Sequence, residues 1–144
     1  MRLVVNLFCR DVDAQFTFYR GVLALPEIEA SRSPIFRALG DGTAELGLNA
    51  QAAYALLGLD DRAAGTDAAP PVTAYPTFQL DMPAAVDEAF SRARDLGARV
   101  RREPFATYYG QWQAVLEDPE GNVFRLAATT LPDGVAAARP PWLP

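Results

Sequence analysis

"YPTFQLDMPAAVDEAFSRARDLGARV", Tyr75 to Val100, decides the fold. Along Tyr75–Leu80, Pro76, Phe78 and Leu80 form an apolar face, while Tyr75, Thr77 and Gln79 form a mixed one. That period of two is a strand with one face on a core. Pro83 suits the first turn of a helix. Val86, Phe90, Ala93 and Leu96 then recur at helical spacing, and Gly97 is a natural stop. Three further strands are predicted, at Arg99–Pro104, Gln111–Glu117 and Asn122–Ala128, separated by "FATYYG" and the turn "DPEGN".

Working outward, the N-terminal half repeats this succession. Leu3, Val5, Leu7 and Cys9 are apolar, while Val4, Asn6 and Phe8 make a mixed face. Asp11 or Asp13 can cap the helix that follows, on which Val12, Phe16, Tyr19 and Leu23 are periodic until Pro26. Three strands are predicted next, at about Glu27–Arg32, Ile35–Leu39 and Ala44–Leu48, with "GDG" at Gly40–Gly42 as a hairpin turn. A short connecting helix fits "AQAAYALLGL". The pattern is an internal repeat of one supersecondary unit, and such units usually share a single continuous core. It predicts an α+β protein of two βαβββ modules, with module 1 at about 1–58, a small-residue and proline linker at about 59–73, and module 2 at about 74–130. Residues 131–144 read as an irregular, proline-rich tail.

Composition narrows the chemistry. The chain has 144 residues, enough for one domain with a real core. Its net charge of −5 argues against nucleic acid, which needs a basic footprint. No apolar run approaches the ~20 residues that span a bilayer, and the short N-terminal apolar stretch does not read as a signal peptide, so a cytoplasmic location is expected. The single cysteine, Cys9, permits no intrachain disulfide and reads as core filler. There is no histidine, which removes Ser–His and Cys–His dyads and His-ligated metals.

The duplicated element order, with "DVDAQFTFYRGVLAL" opening the first helix and "DPEGNVFRL" on the last strand, resembles the vicinal-oxygen-chelate superfamily of glyoxalase I, bleomycin-resistance proteins and extradiol dioxygenases. The resemblance covers roughly Arg2 to Thr129. It implies a half-open, mostly antiparallel, barrel-like sheet with helices on the convex side, a ligand on the concave side and a homodimer. Carried over to this chain, the metal-ligand positions of the metal-dependent members fall at Val4, Tyr75, Arg125 and either Glu45 or Leu46. Leu46 and Leu48 make better core residues, which turns Glu45 toward the mixed face. Only Glu45 could ligate, and Arg125 carries a permanent positive charge. The chain therefore resembles the metal-free, bleomycin-resistance-like branch, with no metal and no cofactor expected.

The mixed faces supply the candidate binding residues. Asn6, Thr77 and Gln79 would orient a small organic ligand. Phe8, Tyr75, Tyr108, Tyr109 and Trp112 would stack on it. Three readings of Arg125 stay open: an anchor for an acidic or carbonyl-bearing ligand, an ion pair with Glu45, or a solvent-facing edge charge. Three functions correspond. The first is metal-independent binding, such as sequestration of an antibiotic or toxin. The second is a metal-free lyase, isomerase or hydrolase with Glu45 as base and Arg125 as electrostatic stabiliser. The third is a non-catalytic interaction module. No membrane or nucleic-acid partner is expected.

Overall fold

A computed structural model describes residues 3–65 and 69–143. Met1, Arg2, Pro144 and positions 66–68 of the assigned linker lie outside the described residues. The chain is α+β and divides into two compact units, Met1–Pro71 and Val72–Pro144.

In the first unit, strand β1 (Val5–Cys9) leads into helix α1 (Val12–Leu23), followed by β2 (Phe36–Gly40), β3 (Glu45–Ala50) and the short helix α2 (Ala53–Leu56). The sheet order is β1-β3-β2, with β1 parallel and β2 antiparallel to β3. Asp11 is the cap of α1, its carboxylate accepting from the Ala14 amide at 2.9 Å. Helix α1 buries Phe16, Phe18, Tyr19 and Val22, and Leu39, Leu46 and Leu48 are fully or almost fully buried.

The strand expected at Glu27–Arg32 does not form. Only Glu27 pairs, in an isolated bridge to Leu39, held by Ile28 N–H to Ala38 O and Gly40 N–H to Pro26 O, both at 2.9 Å. The chain then turns through a 3₁₀ segment at Glu29–Ser31. Local polar bonds outcompete the ladder there. The Ser31 hydroxyl donates to Ile28 O at 2.8 Å, and Arg32 folds back to donate to Glu27, with its Nε 2.7 Å from Oε1. Arg37 of β2 donates to the same carboxylate at 2.9 Å and to Asp13 of α1 at 2.8 Å, with its guanidinium carbon 3.4 Å from the Phe16 ring centroid. The segment thus ties β2 to α1 instead of extending the sheet.

The second unit holds β4 (Thr77–Leu80), α3 (Pro83–Asp95), β5 (Arg99–Ala106), β6 (Trp112–Glu117) and β7 (Val123–Ala128). Its sheet order is β4-β7-β6-β5, with β4 parallel to β7 and the other pairs antiparallel. Pro83 opens α3, and Gly97, just past its end, has φ +98°, a conformation that suits a residue without Cβ. Val86, Ala89, Phe90 and Ala93 of α3 are buried, as are Ala114, Leu116, Phe124 and Leu126 of the sheet. Asp118 fixes the "DPEGN" turn by accepting from the amides of Glu120 and Asn122, both at 2.9 Å. At the sheet edge, Arg99, Val100, Arg101, Arg102 and Glu103 of β5 are all exposed, and such a run of charges discourages edge-to-edge pairing.

Among the described residues no helix is long and apolar enough to cross a membrane.

Candidate functional site

Each unit presents one sheet face to its helix and leaves the other for polar and aromatic groups. In the first unit, Asn6 stands opposite Gly47 and Phe8 opposite Asn49 in the β1–β3 register. Alternation along β3 puts Glu45, Gly47 and Asn49 together on this face. Leu46 and Leu48 go to the helix side and are almost wholly buried. Asn49 Nδ2 donates to Asn6 Oδ1 at 3.4 Å. The Asn6 side chain can lie over β3 because position 47 has none: a Cβ on Gly47 would come within 2.2 Å of Asn6 Oδ1. Phe8 stacks on Tyr54 of α2, with centroids 3.7 Å apart and planes 10° from parallel. Glu45 is half-buried.

In the second unit, Arg125 lies directly opposite Thr77 in the β4–β7 register and opposite Val115 of β6. Its Nε donates to Thr77 Oγ1 at 3.0 Å, and its guanidinium carbon is 5.5 Å from the Tyr75 ring centroid. The Thr77 bond uses the inner nitrogen and leaves the terminal fork of N–H donors available. Gln79 lies further along the same face of β4 and is exposed. Tyr108 and Tyr109 sit in the loop entering β6, with both rings partly exposed. The Tyr109 hydroxyl donates to Gln113 Oε1 at 3.1 Å.

Trp112 does not join these aromatics. Its Nε1–H donates to Asp87 Oδ1 of α3 at 2.8 Å, so its ring lies on the helix side of β6, the side of buried Ala114 and Leu116. The neighbouring residue, Gln113, takes the opposite face and pairs with Ala127 in register, beside the Val115–Arg125 pair. Alternation from Ala114 and Leu116 carries this signal in the sequence. Sequence reasoning also missed Asn49, two residues along β3 from Gly47, and Tyr54, whose role depends on a stack with a distant strand.

The metal positions implied by the family do not suit a divalent ion. Val4 and Arg125 offer no ligand, Tyr75 only a phenol, and Leu46 is core. Among the described residues no group of three or more His, Cys, Asp and Glu side chains is placed to hold a metal. The face in the first unit carries paired amides, a carboxylate and the Phe8–Tyr54 stack, and the face in the second carries a positioned guanidinium beside the Tyr75 ring.

The sequence matches the family model of the glyoxalase-like domain over residues 2–127. No curated protein matches it. Among solved structures, the chain is 40% identical to a glyoxalase/bleomycin resistance protein/dioxygenase family enzyme from Burkholderia phytofirmans PsJN, over 88% of this chain and 96% of that one, with a TM-score of 0.80. Lactoylglutathione lyase from Agrobacterium tumefaciens is 23% identical, over 89% of this chain and 92% of that one, with a TM-score of 0.62. TioX from Micromonospora sp. ML1 is 17% identical, over 90% and 98%, with a TM-score of 0.61. These last two share the fold. The extent of the family match and the 40% identity together establish that the chain belongs to the glyoxalase-like domain family of the vicinal-oxygen-chelate superfamily.

Proposed function

We propose that the protein binds a small organic ligand without a metal, holding a carboxylate or carbonyl oxygen of that ligand on Arg125. The observation that carries this reading is the fixing of Arg125 by Thr77 at 3.0 Å, with the Tyr75 ring 5.5 Å away. Within its own unit, among the described residues, no carboxylate pairs with this guanidinium. A half-buried cation placed this way is oriented before any ligand arrives, and its planar fork matches a carboxylate in bidentate fashion. The Tyr75 ring supplies apolar area beside the guanidinium, and Thr77 and Gln79, on the same face of this unit, supply orientation.

Isothermal titration of the purified protein with aromatic carboxylates and their methyl esters tests this reading. Charge-assisted hydrogen bonds contribute about 1.5–3 kcal/mol, so Arg125→Ala should weaken binding of the best carboxylate roughly 10- to 100-fold. Arg125→Lys should recover only part of it. Dialysis against EDTA should leave affinity unchanged. An Arg125→Ala protein that binds normally but unfolds at lower denaturant would make Arg125 structural. Loss of binding after EDTA treatment would restore a metal to the site.

A further inference from the structure

The second unit carries a cleft built partly by residues 138–141, beyond the stretch that matches the family model. Its volume is about 270 Å³, close to the ~300 Å³ at which ligand pockets begin. That size suits one or two fused rings.

One wall is rigid. Thr107 is buried and closes the loop before β6: its amide donates to Gln111 O at 2.9 Å, while its Oγ1 accepts from the Gln111 amide at 2.8 Å. The tail is pinned to this loop. The Ala138 amide donates to Thr107 O at 3.1 Å, and Trp142 meets Tyr108 edge to face at 4.7 Å. Tyr108 in turn meets Tyr109 edge to face at 4.9 Å. Phe105 and Tyr109 provide flat apolar surface, and Gln113, buried on the cleft floor, keeps its amide donors after accepting from Tyr109.

The charge of the lining is one-sided. Arg102 and Arg139 both border the cleft, and no acidic residue does. The Arg102 guanidinium carbon lies 3.4 Å from the Phe105 ring centroid, which spreads the cation flat over an aromatic wall. In a chain of net charge −5, two arginines gathered at one aromatic cleft favour an anion locally against the charge of the whole.

We propose that this tail-closed cleft binds a flat aromatic carboxylate, its ring between Phe105 and Tyr109 and its carboxylate between Arg102 and Arg139. The tail then acts as the strap that completes the site. This assignment does not depend on the role of Arg125.

The test is isothermal titration of the full chain with 2-naphthoate and with its uncharged counterpart, 2-naphthamide. Naphthoate should bind at least tenfold more tightly. Arg102→Gln with Arg139→Gln, which keeps the strap in place, should lower naphthoate affinity at least tenfold. A chain ending at Val135 should lose affinity similarly while its circular dichroism spectrum is retained. Arg92→Gln, at an exposed arginine of α3 outside the cleft, should change naphthoate affinity less than threefold. The proposal is overturned if naphthoate does not bind at millimolar concentration, if it binds no better than the amide, or if the double arginine variant binds normally. Binding abolished by Arg125→Ala alone would place the molecule at the Thr77–Arg125 site and would likewise overturn the tail cleft.

Discussion

Trp112 and Asp87 are joined by a 2.8 Å hydrogen bond between indole Nε1 and carboxylate Oδ1, linking strand β6 to helix α3. The bond settles which face of β6 belongs to the core. It also gives Trp112 a structural contact on the helix side of β6. Removing the donor with Trp112→Phe should cost about 1 kcal/mol, the usual net worth of one hydrogen bond, because Asp87 can turn to water. Ligand affinity should stay within about threefold, a difference under ~0.7 kcal/mol. Urea unfolding and ligand titration on the same variant check both parts. A large loss of affinity at unchanged stability would return Trp112 to the binding face.

The placement of Trp112 against Asp87 shows what was legible and what was not. Period-two patterning placed Asn6, Phe8 and Glu45 on the correct strands and turned Leu46 and Leu48 to the core, because burial enforces alternation. Applied to β6, the same rule puts Ala114 and Leu116 with Trp112. Its nearness to the tyrosines of "TYYGQW" suggested a pocket rim instead. The missing strand at Glu27–Arg32 is a different failure. Its fate depends on Arg37, ten positions from Glu27, and on Asp13 in another element, contacts that no local pattern encodes. The Phe8–Tyr54 stack and the tail's grip on Thr107 are illegible for the same reason.

Glu27 makes the fold sensitive to acid. Hydrogen bonds from Arg32 and then Arg37 lower its carboxyl from an ordinary 4.5 to about 2. A carboxyl depressed in the folded state contributes stability that is fully present above pH 4.5 and is lost as pH falls toward 2. Asp41, lowered from 3.8 to about 2 by hydrogen bonds from the Thr43 hydroxyl and from the Thr43 and Ala44 amides, titrates in an overlapping window. Urea midpoints of wild type should therefore fall between pH 5 and pH 3. Glu27→Gln should be less stable at pH 5 and show a shallower fall. An unchanged slope in Glu27→Gln would mean that the two arginines do not hold this carboxylate in solution.

Gln15 offers a stabilising change. It is 1% exposed on α1, and among the described residues neither amide atom has a hydrogen-bond partner. A buried amide without partners costs on the order of 1–3 kcal/mol. Methionine has nearly the same shape and no such requirement, so Gln15→Met should raise stability by about 1 kcal/mol. Destabilisation by that amount would reveal an ordered water or a bond made by the amide in solution.

Gly47 keeps Asn6 where it is. A Cβ at position 47 would meet Asn6 Oδ1 at 2.2 Å and the Phe36 ring at 2.9 Å. Gly47→Ala should therefore cost about 1–3 kcal/mol by overpacking. Asn6→Ala clears the nearer atom, so the double variant should be more stable than the two single costs predict, by at least ~0.5 kcal/mol in a double-mutant cycle. Strict additivity would place the strain on Phe36 alone.

Thr77→Val isolates the positioning of Arg125. Valine keeps the branched shape and the β propensity of threonine. It removes the Oγ1 that accepts from Arg125 Nε at 3.0 Å. The guanidinium keeps its charge and its place on β7 but becomes free to rotate. If orientation matters, carboxylate affinity should fall about threefold to tenfold, corresponding to ~0.7–1.4 kcal/mol, while unfolding free energy changes by less than ~1 kcal/mol. The two explanations of that loss separate in the salt dependence. A site that works only as a positive field would keep its affinity in Thr77→Val and lose it as ionic strength rises. A site that works by a directed fork should lose affinity in Thr77→Val at every ionic strength, and Thr77→Ser, which restores the hydroxyl, should recover it. Wild-type affinity in Thr77→Val at low salt would refute the directed fork.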